Sequence, residues 1–193
     1  RLVEKNGIEE LIETLLYLPE HIKLLICGTG PLDSGLKLTA NRYSLNARIK
    51  FLGHIPHEQL PNYLHASDIF CRSSRSEGMG SSFIEAMAAG LPVVATPVGG
   101  ITDFLFAPLP DSPEEQQILS NSRELANRWG EQITGLFCKV GDHKDIAAKI
   151  QFLLSNNELR NRIIANASQM VREKYEWGGI AEKMKQIFFT KPS

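Results

Sequence analysis

The sequence predicts an α/β fold in three layers, a parallel sheet covered by helices on both faces. Three observations predict it. Short apolar runs alternate with segments of helical periodicity, the pattern of successive βαβ units. The runs are nearly continuous in apolar residues, as in strands buried on both faces. Turns containing Gly or Pro punctuate the ends of most runs.

Taken in order, Ile8, Leu11, Ile12, Leu15 and Leu16 recur at i, i+3, i+4, i+7 and i+8, one face of a helix that Pro19 stops. Ile22–Cys27 reads as the first strand, closed by Gly28-Thr29-Gly30-Pro31. A helix follows from about Leu32 to Leu45, and Arg48–Leu52 is the second strand, ending at Gly53. His57–His65 is a short helix and Asp68–Cys71 the third strand. The polar loop Arg72–Gly80 leads into a small-residue helix, Ser81–Ala89, ended by Gly90. Pro92–Thr96 and Gly135–Val140 are the fourth and fifth strands. Three helices close the chain, Asp142–Leu154, Asn156–Glu173 and Gly178–Phe189. Between them Phe106–Gln132, with Pro108, Pro110 and Pro113 and then Glu114 to Gln117, reads as an inserted, partly helical surface excursion. Ligands of such sheets bind at the carboxyl ends of the strands, so the loops there hold the candidate residues.

The 193 residues suffice for a real core, and a 42% hydrophobic, 22% charged composition is that of an ordinary globular protein. A net charge of −1, from 21 basic and 22 acidic residues, gives no reason to expect nucleic acid or anionic lipid as a partner. Cys27, Cys71 and Cys138 each sit in an apolar run and read as buried strand cysteines, fitting a reducing, cytoplasmic setting. Asp33, Asp68 and Asp142 fit capping or turn roles, and no carboxylate and histidine cluster suggests a metal. No run approaches the ~20 apolar residues that span a bilayer, and no signal-peptide pattern opens the chain. The chain starts on Arg1 inside what reads as a loop, so it is expected to be part of something longer, with a first strand upstream.

The most informative stretch is Ser76-Glu77-Gly78-Met79-Gly80-Ser81-Ser82-Phe83-Ile84-Glu85-Ala86-Met87-Ala88-Ala89-Gly90. Glycines at 78 and 80 permit close backbone approach to a ligand. The free amides of a helix start favour oxyanions. Glu85, one turn into the helix, can accept from a diol such as ribose, and Glu77 from sugar hydroxyls. The same residues also read as a loop with a dipole-complementing Glu77 and a solvated Glu85. The residues alone leave both open.

This segment resembles the Glu-x7-Glu signature of family 4 retaining glycosyltransferases, the "glycosyl transferases group 1" of the two-domain GT-B fold. The likeness continues through Leu91-Pro92-Val93-Val94-Ala95-Thr96 to Val98-Gly99-Gly100 and covers most of the chain, from Arg1 to about Phe188. It implies a Rossmann-like domain, the C-terminal, donor-binding half of such an enzyme, occupying residues 1–193 with the insertion at 106–132. Through the resemblance, Glu77 would bind donor-sugar hydroxyls and Glu85 the ribose. Gly78, Met79, Gly80, Ser81 and Ser82 would line the sugar and diphosphate; Met79 stands where the family often has Phe. Gly28-Thr29-Gly30-Pro31 is similar to the family's Gly-x-Gly-Pro turn and would wall the nucleotide cleft. Arg48-Ile49-Lys50-Phe51-Leu52-Gly53-His54-Ile55-Pro56 is similar to the strand and loop that reach the base, with His54 either flanking the base or merely exposed.

Arg1-Leu2-Val3-Glu4-Lys5-Asn6-Gly7 resembles the family's Gly-Arg-Leu-Val-x-x-Lys-Gly loop, whose Arg and Lys neutralise the donor diphosphate. Arg1 matches. Asn6 occupies the family's lysine position, and Lys5 stands one residue early, either swinging in or solvated. Arg72 and Arg75 either meet phosphate or solvate their loop. Gly99-Gly100-Ile101-Thr102-Asp103 resembles a Gly-Gly-x-x-Glu turn with Asp for Glu. Trp177 reads as packing.

The resemblance implies transfer of a hexosyl group, with retention, from a nucleoside-diphosphate sugar, with no metal required and no further cofactor. The catalytic set would be Glu77, Arg1 and Lys5. The acceptor would be held by an N-terminal domain that this chain lacks, so the fragment alone is expected to be inactive. Peripheral association with the cytoplasmic membrane face is common in such enzymes and would come through that absent domain. Two other readings share these residues: a sugar-nucleotide epimerase of the same architecture, and a non-catalytic nucleotide-sugar-binding module, toward which Asn6 points.

Overall fold

A computed structural model describes residues 1–119, 132–176 and 178–181. Trp177, residues 120–131 of the expected insertion and the closing helix beyond residue 181 lie outside the described residues. The elements alternate as expected: α1 (Ile8–Thr14), β1 (Leu24–Cys27), α2 (Asp33–Arg42), β2 (Ile49–Gly53), α3 (Leu60–His65), β3 (Phe70–Arg72), α4 (Ser81–Ala88) and β4 (Val93–Ala95). Then come α5 (Pro113–Leu119), β5 (Leu136–Phe137), α6 (His143–Ser155) and α7 (Asn157–Tyr175). The five expected strands are present and every pairing is parallel.

The strands form two sheets, β1-β2 and β3-β4-β5. Among the described residues no strand joins β1 to β3; helix α1 bridges them instead. Its Ile12 packs with Ile26 and Ile49 of the first sheet, and its Leu11 with Val94, Leu136 and Cys138 of the second. Helix α4 lies over β4, its Phe83 and Met87 fully buried against Val93, Ala95 and Phe104 and against Ala167 and Met170 of α7. Burying side chains of this size contributes ~1.5–3 kcal/mol each. Asp142 caps α6 by accepting from the amides of Lys144 and Asp145, both at 3.0 Å, and Asn156 caps α7.

Two expectations are corrected. Leu16 lies on the apolar stripe of the sequence, yet it is 46% exposed while Leu15 and Leu18 are buried. The helix tightens at Leu15–Tyr17 into a 3-10 turn, and three residues per turn rotate Leu16 off the core face. Cys27 is exposed, unlike the buried Cys138. In β1 the burial alternates, with Leu25 and Cys27 outward and Ile26 inward, so one face of that strand lacks a covering element among the described residues. Burial pushes the Cys71 thiol up to about 12 and raises that of Cys138 as well.

Arg48 turns out to have a structural task. Its guanidinium donates to the carbonyls of Leu15, Leu18, Pro19 and Ile22 at 2.8–3.2 Å, tying the end of the first helix and the turn after it to the start of β2. The excursion that leaves the core at Phe106 is pinned at its neck and at α5. Phe106 N–H donates to Thr134 Oγ1 at 2.8 Å, and Thr134 N–H donates back to the Phe106 carbonyl at 3.0 Å. Lys149 of α6, buried, pairs with Glu115 of α5 and with Asp145, each at 2.9 Å. Burial pushes the Lys149 ammonium down, but its bonds to Glu115 and Asp145 outweigh this and hold it above the ordinary 10.5. No helix among the described residues is long and apolar enough to cross a membrane.

Lys149→Met is expected to destabilise the fold by ~3–5 kcal/mol, because the buried Glu115 and the largely shielded Asp145 lose their cation. The raised lysine contributes fully below pH 10.5 and loses its contribution as pH rises through the higher folded-state value. Urea unfolding of both proteins should therefore show a gap that is constant at neutral pH and narrows at strongly alkaline pH. A variant as stable as the parent at pH 7 would show that the triad does not anchor α5.

Candidate functional site

Parallel strands bring all their carboxyl ends to one rim, and the loops leaving that rim touch one another. Leu2 N–H donates to the Thr29 carbonyl at 3.0 Å and Gly28 N–H to the Gly53 carbonyl at 2.6 Å. Gly30 packs against the Leu2 backbone. Arg75 N–H donates to the Lys5 carbonyl at 2.7 Å, and the buried Ser73 hydroxyl to the Gly7 carbonyl at 2.6 Å. Gly100 N–H donates to the Gly78 carbonyl at 3.0 Å. So the segments 1–7, 28–30, 72–80 and 98–100 form one continuous wall.

Two glycines make this packing feasible. A Cβ on Gly7 would stand 2.1 Å from the Ser73 carbonyl oxygen, and one on Gly99 would stand 1.9 Å from that of Glu77. Both residues are also left-handed, with φ of +63° and +53°. Gly78, by contrast, faces open space where its Cβ would be, and Gly80 is the left-handed residue that precedes α4.

Glu77 is held in the centre of the wall, its side chain 11% exposed. Its Oε2 lies 2.6 Å from Arg72 Nη2 and 3.4 Å from the Ser74 hydroxyl. Its Oε1 accepts from Gly78 N–H at 3.2 Å. Arg72, at the end of β3, also donates to Asn6 Oδ1 at 2.8 Å and to Ser82 Oγ at 3.0 Å. Asn6 is buried and donates in turn to the Arg1 carbonyl at 2.6 Å. The sequence left the two loop arginines undecided; the structure separates them. Arg72 points into the site, while Arg75 pairs with Glu10 of α1.

Glu85 stands one turn into α4 and lines a cleft of about 300 Å³ with His57, Leu60, Pro61, Leu64, His65, Ala88 and Ala89. It is half-buried rather than fully solvated. His57 and His65 are cleft residues that sequence reasoning missed. The signal was available: positions 57, 60, 61, 64 and 65 repeat at i, i+3, i+4, i+7 and i+8, one helical face. The sequence left Arg72 open between phosphate and solvent because a strand terminus carries no motif that tells inward from outward.

Of the other expected residues, Ser82 joins the Arg72 group and Ser81 and Met79 are exposed, Met79 by 60%. Arg1 and Lys5 are exposed, tied to the wall through their backbone carbonyls. His54 is exposed beyond Gly53, away from the Glu77 hydrogen-bond group. A carboxylate fixed by a guanidinium, beside free helix-start amides and a second carboxylate over a cleft, suits a neutral polyol joined to an anion.

The sequence model of the family described as "Glycosyl transferases group 1" matches residues 1–106. The sulfoquinovosyl transferase of Arabidopsis thaliana is 28% identical over 186 residues, 95% of this chain and 31% of the plant protein. The crystal structure of HepE from Anabaena in complex with UDP and glucose superposes with a TM-score of 0.79 at 21% identity, over 97% of this chain and 46% of that one. The C-terminal domain of a group 1 family protein from Francisella tularensis superposes with a TM-score of 0.70 at 24% identity, over 92% of this chain and 83% of that domain. The chain spans less than half the length of the plant relative and of HepE.

The contact at Gly99 yields a direct test. Gly99→Ala places a methyl on the Glu77 carbonyl at a left-handed position, so it should destabilise the protein by ~2 kcal/mol or more. Gly78→Ala, with open space, should change stability by under about 1 kcal/mol. Urea denaturation of the two variants checks the contrast, and equal effects would contradict the packing described here.

Proposed function

The chain belongs to the glycosyl transferases group 1 family, and we propose that it is the half of a retaining, family 4 type enzyme that binds the nucleoside-diphosphate sugar. The observation that carries this reading is the pair of carboxylates flanking the start of α4. Glu77 is held rigid in the wall of loops, and Glu85 lies over the 300 Å³ cleft. Glu77 in the loop before α4 and Glu85 one turn into it suit a ligand with two hydroxyl-bearing ends and an anion between them.

In this reading the ribose diol donates to Glu85, with the base in or beside the cleft lined by His57 and His65. The diphosphate lies toward the amides of Gly80, Ser81 and Ser82, where unpaired N–H groups favour oxyanions. Arg1 and Lys5, exposed at the rim, neutralise it as the leaving group forms, which is the large electrostatic contribution open to a site that needs no metal. The hexose donates to Glu77. An acceptor would be bound by a second, N-terminal domain facing this wall, and the chain alone, with one side of the cleft open, would bind donor weakly and transfer nothing. The HepE complex with UDP and glucose supports this choice of ligand class through a likeness of fold. A cytoplasmic setting, with the whole enzyme peripheral to the membrane, fits a cytosolic supply of sugar nucleotides.

Calorimetric titration with UDP, GDP, ADP and CMP, with and without magnesium, tests the reading. The expected result is a magnesium-independent response to one diphosphate. Glu85→Ala should then weaken that nucleotide by ~1–3 kcal/mol, the cost of leaving the diol without its acceptor. The wild type should bind the ribonucleotide more tightly than its 2′,3′-dideoxy form. Equal affinity for the two would remove Glu85 from the site, and silence toward all four at millimolar concentration would sink the donor-site reading for this chain.

A further inference from the structure

We propose that Arg72 is the positioning residue of the site: it fixes the Glu77 carboxylate in the one orientation from which that carboxylate recognises the donor's sugar, and Asn6 is neutral so that Arg72 can do so. The inference rests on the reading of Glu77 as the sugar-binding carboxylate.

Arg72 gathers groups from separate segments. Its guanidinium meets Glu77 Oε2 at 2.6 Å, Asn6 Oδ1 at 2.8 Å and Ser82 Oγ at 3.0 Å. It also lies 5.6 Å from the ring centroid of the fully buried Phe83. These partners come from the first loop, the loop before α4 and α4 itself, while Arg72 stands on β3. The side chain is 21% exposed, so its conformation is set by packing as well as by charge. A planar guanidinium donating in several directions at once has little freedom left.

Glu77 needs such a partner. It sits in a loop with glycine next to it, and a glutamate side chain on a loop samples many rotamers unless it is held. The ion pair occupies Oε2, and the Gly78 amide occupies one lone pair of Oε1 at 3.2 Å. A carboxylate has about four acceptor sites, so Oε1 keeps capacity for a hydroxyl donor. Prefixing that oxygen removes the ordering cost from sugar binding.

Asn6 completes the argument. It is 4% exposed, and its amide oxygen faces the guanidinium while its amide nitrogen donates to the Arg1 carbonyl. A lysine here would set a second cation against Arg72 and compete for Glu77. A neutral side chain that accepts on one side and donates on the other fits both neighbours. Asparagine at position 6 is thus matched to arginine at position 72.

The test uses calorimetric titration of the whole chain with two probe pairs, UDP with UDP-glucose and GDP with GDP-mannose, and a melting curve for each variant. In the wild type one sugar nucleotide is expected to bind more tightly than its own diphosphate. Arg72→Leu should remove about tenfold of that sugar-dependent gain, while affinity for the diphosphate alone changes by less than about threefold. Arg72→Lys keeps the charge without the fork and should restore part of the gain. In a Glu77→Ala background, Arg72→Leu should lower the gain no further, because the residue acts through Glu77. Asn6→Lys should reduce the gain. The inference is overturned if Arg72→Leu weakens both members of the pair alike, if it cuts the gain again in the Glu77→Ala background, or if Asn6→Lys increases the gain. A wild type that binds one diphosphate and its sugar ester equally also overturns it and leaves the nucleotide site standing. Binding of none of the four probes overturns the donor-site reading itself. Should Arg72→Leu fail to fold, Arg72→Lys and Asn6→Lys carry the same comparison.

Discussion

Backbone pressed against backbone is the contact on which the rest of the site depends. The loops at the carboxyl rim of the strands approach until the Gly7 and Gly99 α-carbons sit where any side chain would collide with the carbonyls of Ser73 and Glu77. That closeness buries Asn6, fixes where the chain can leave β3, and forces the Glu77 backbone into one path. Leu2, 1% exposed, anchors the first loop in the core of the β1-β2 sheet, so the loop reaches the second sheet already constrained. Nothing in this arrangement depends on the charged side chains of the wall; they inherit it.

Within that frame, charge is placed sparingly. Arg72 and Glu77 are mostly shielded from water, and a shielded pair holds only if its remaining donors and acceptors are satisfied. Asn6, Ser74, Ser82 and the Gly78 amide supply this, each neutral and each from a different turn of the wall. Arg75, a few residues along the same loop, is used for a different purpose: its pair with Glu10 ties the loop to α1, and α1 is the element that holds the two sheets together. One short loop therefore carries a cation for the site and another for the scaffold.

Rigid elements stand behind both carboxylates. Helix α4 bears Glu85, and its buried side, Phe83, Ala86 and Met87, packs on β4 and α7. The Lys149 triad and the Phe106–Thr134 exchange secure the root of the excursion that leaves the core after Leu105. The neck bond lies next to β5, whose Leu136 and Phe137 pair with β4.

The sequence by itself determined the alternation of strands and helices and the motif from Ser76 to Gly90, and it marked the loops after the strands as the candidate site. These are local properties: periodicity, turn residues and short spacings act within a few residues of chain. Tertiary structure alone decided that Leu16 faces water, that β1 shows Cys27 outward, and that the strands divide into two sheets bridged by α1. It also decided which of two loop arginines turns inward, that Arg48 serves carbonyls rather than a ligand, and that Asn6, 66 residues away from Arg72, is its partner. Such facts are set by the packing of segments distant along the chain, and a single sequence records which residues are present without recording which of them meet.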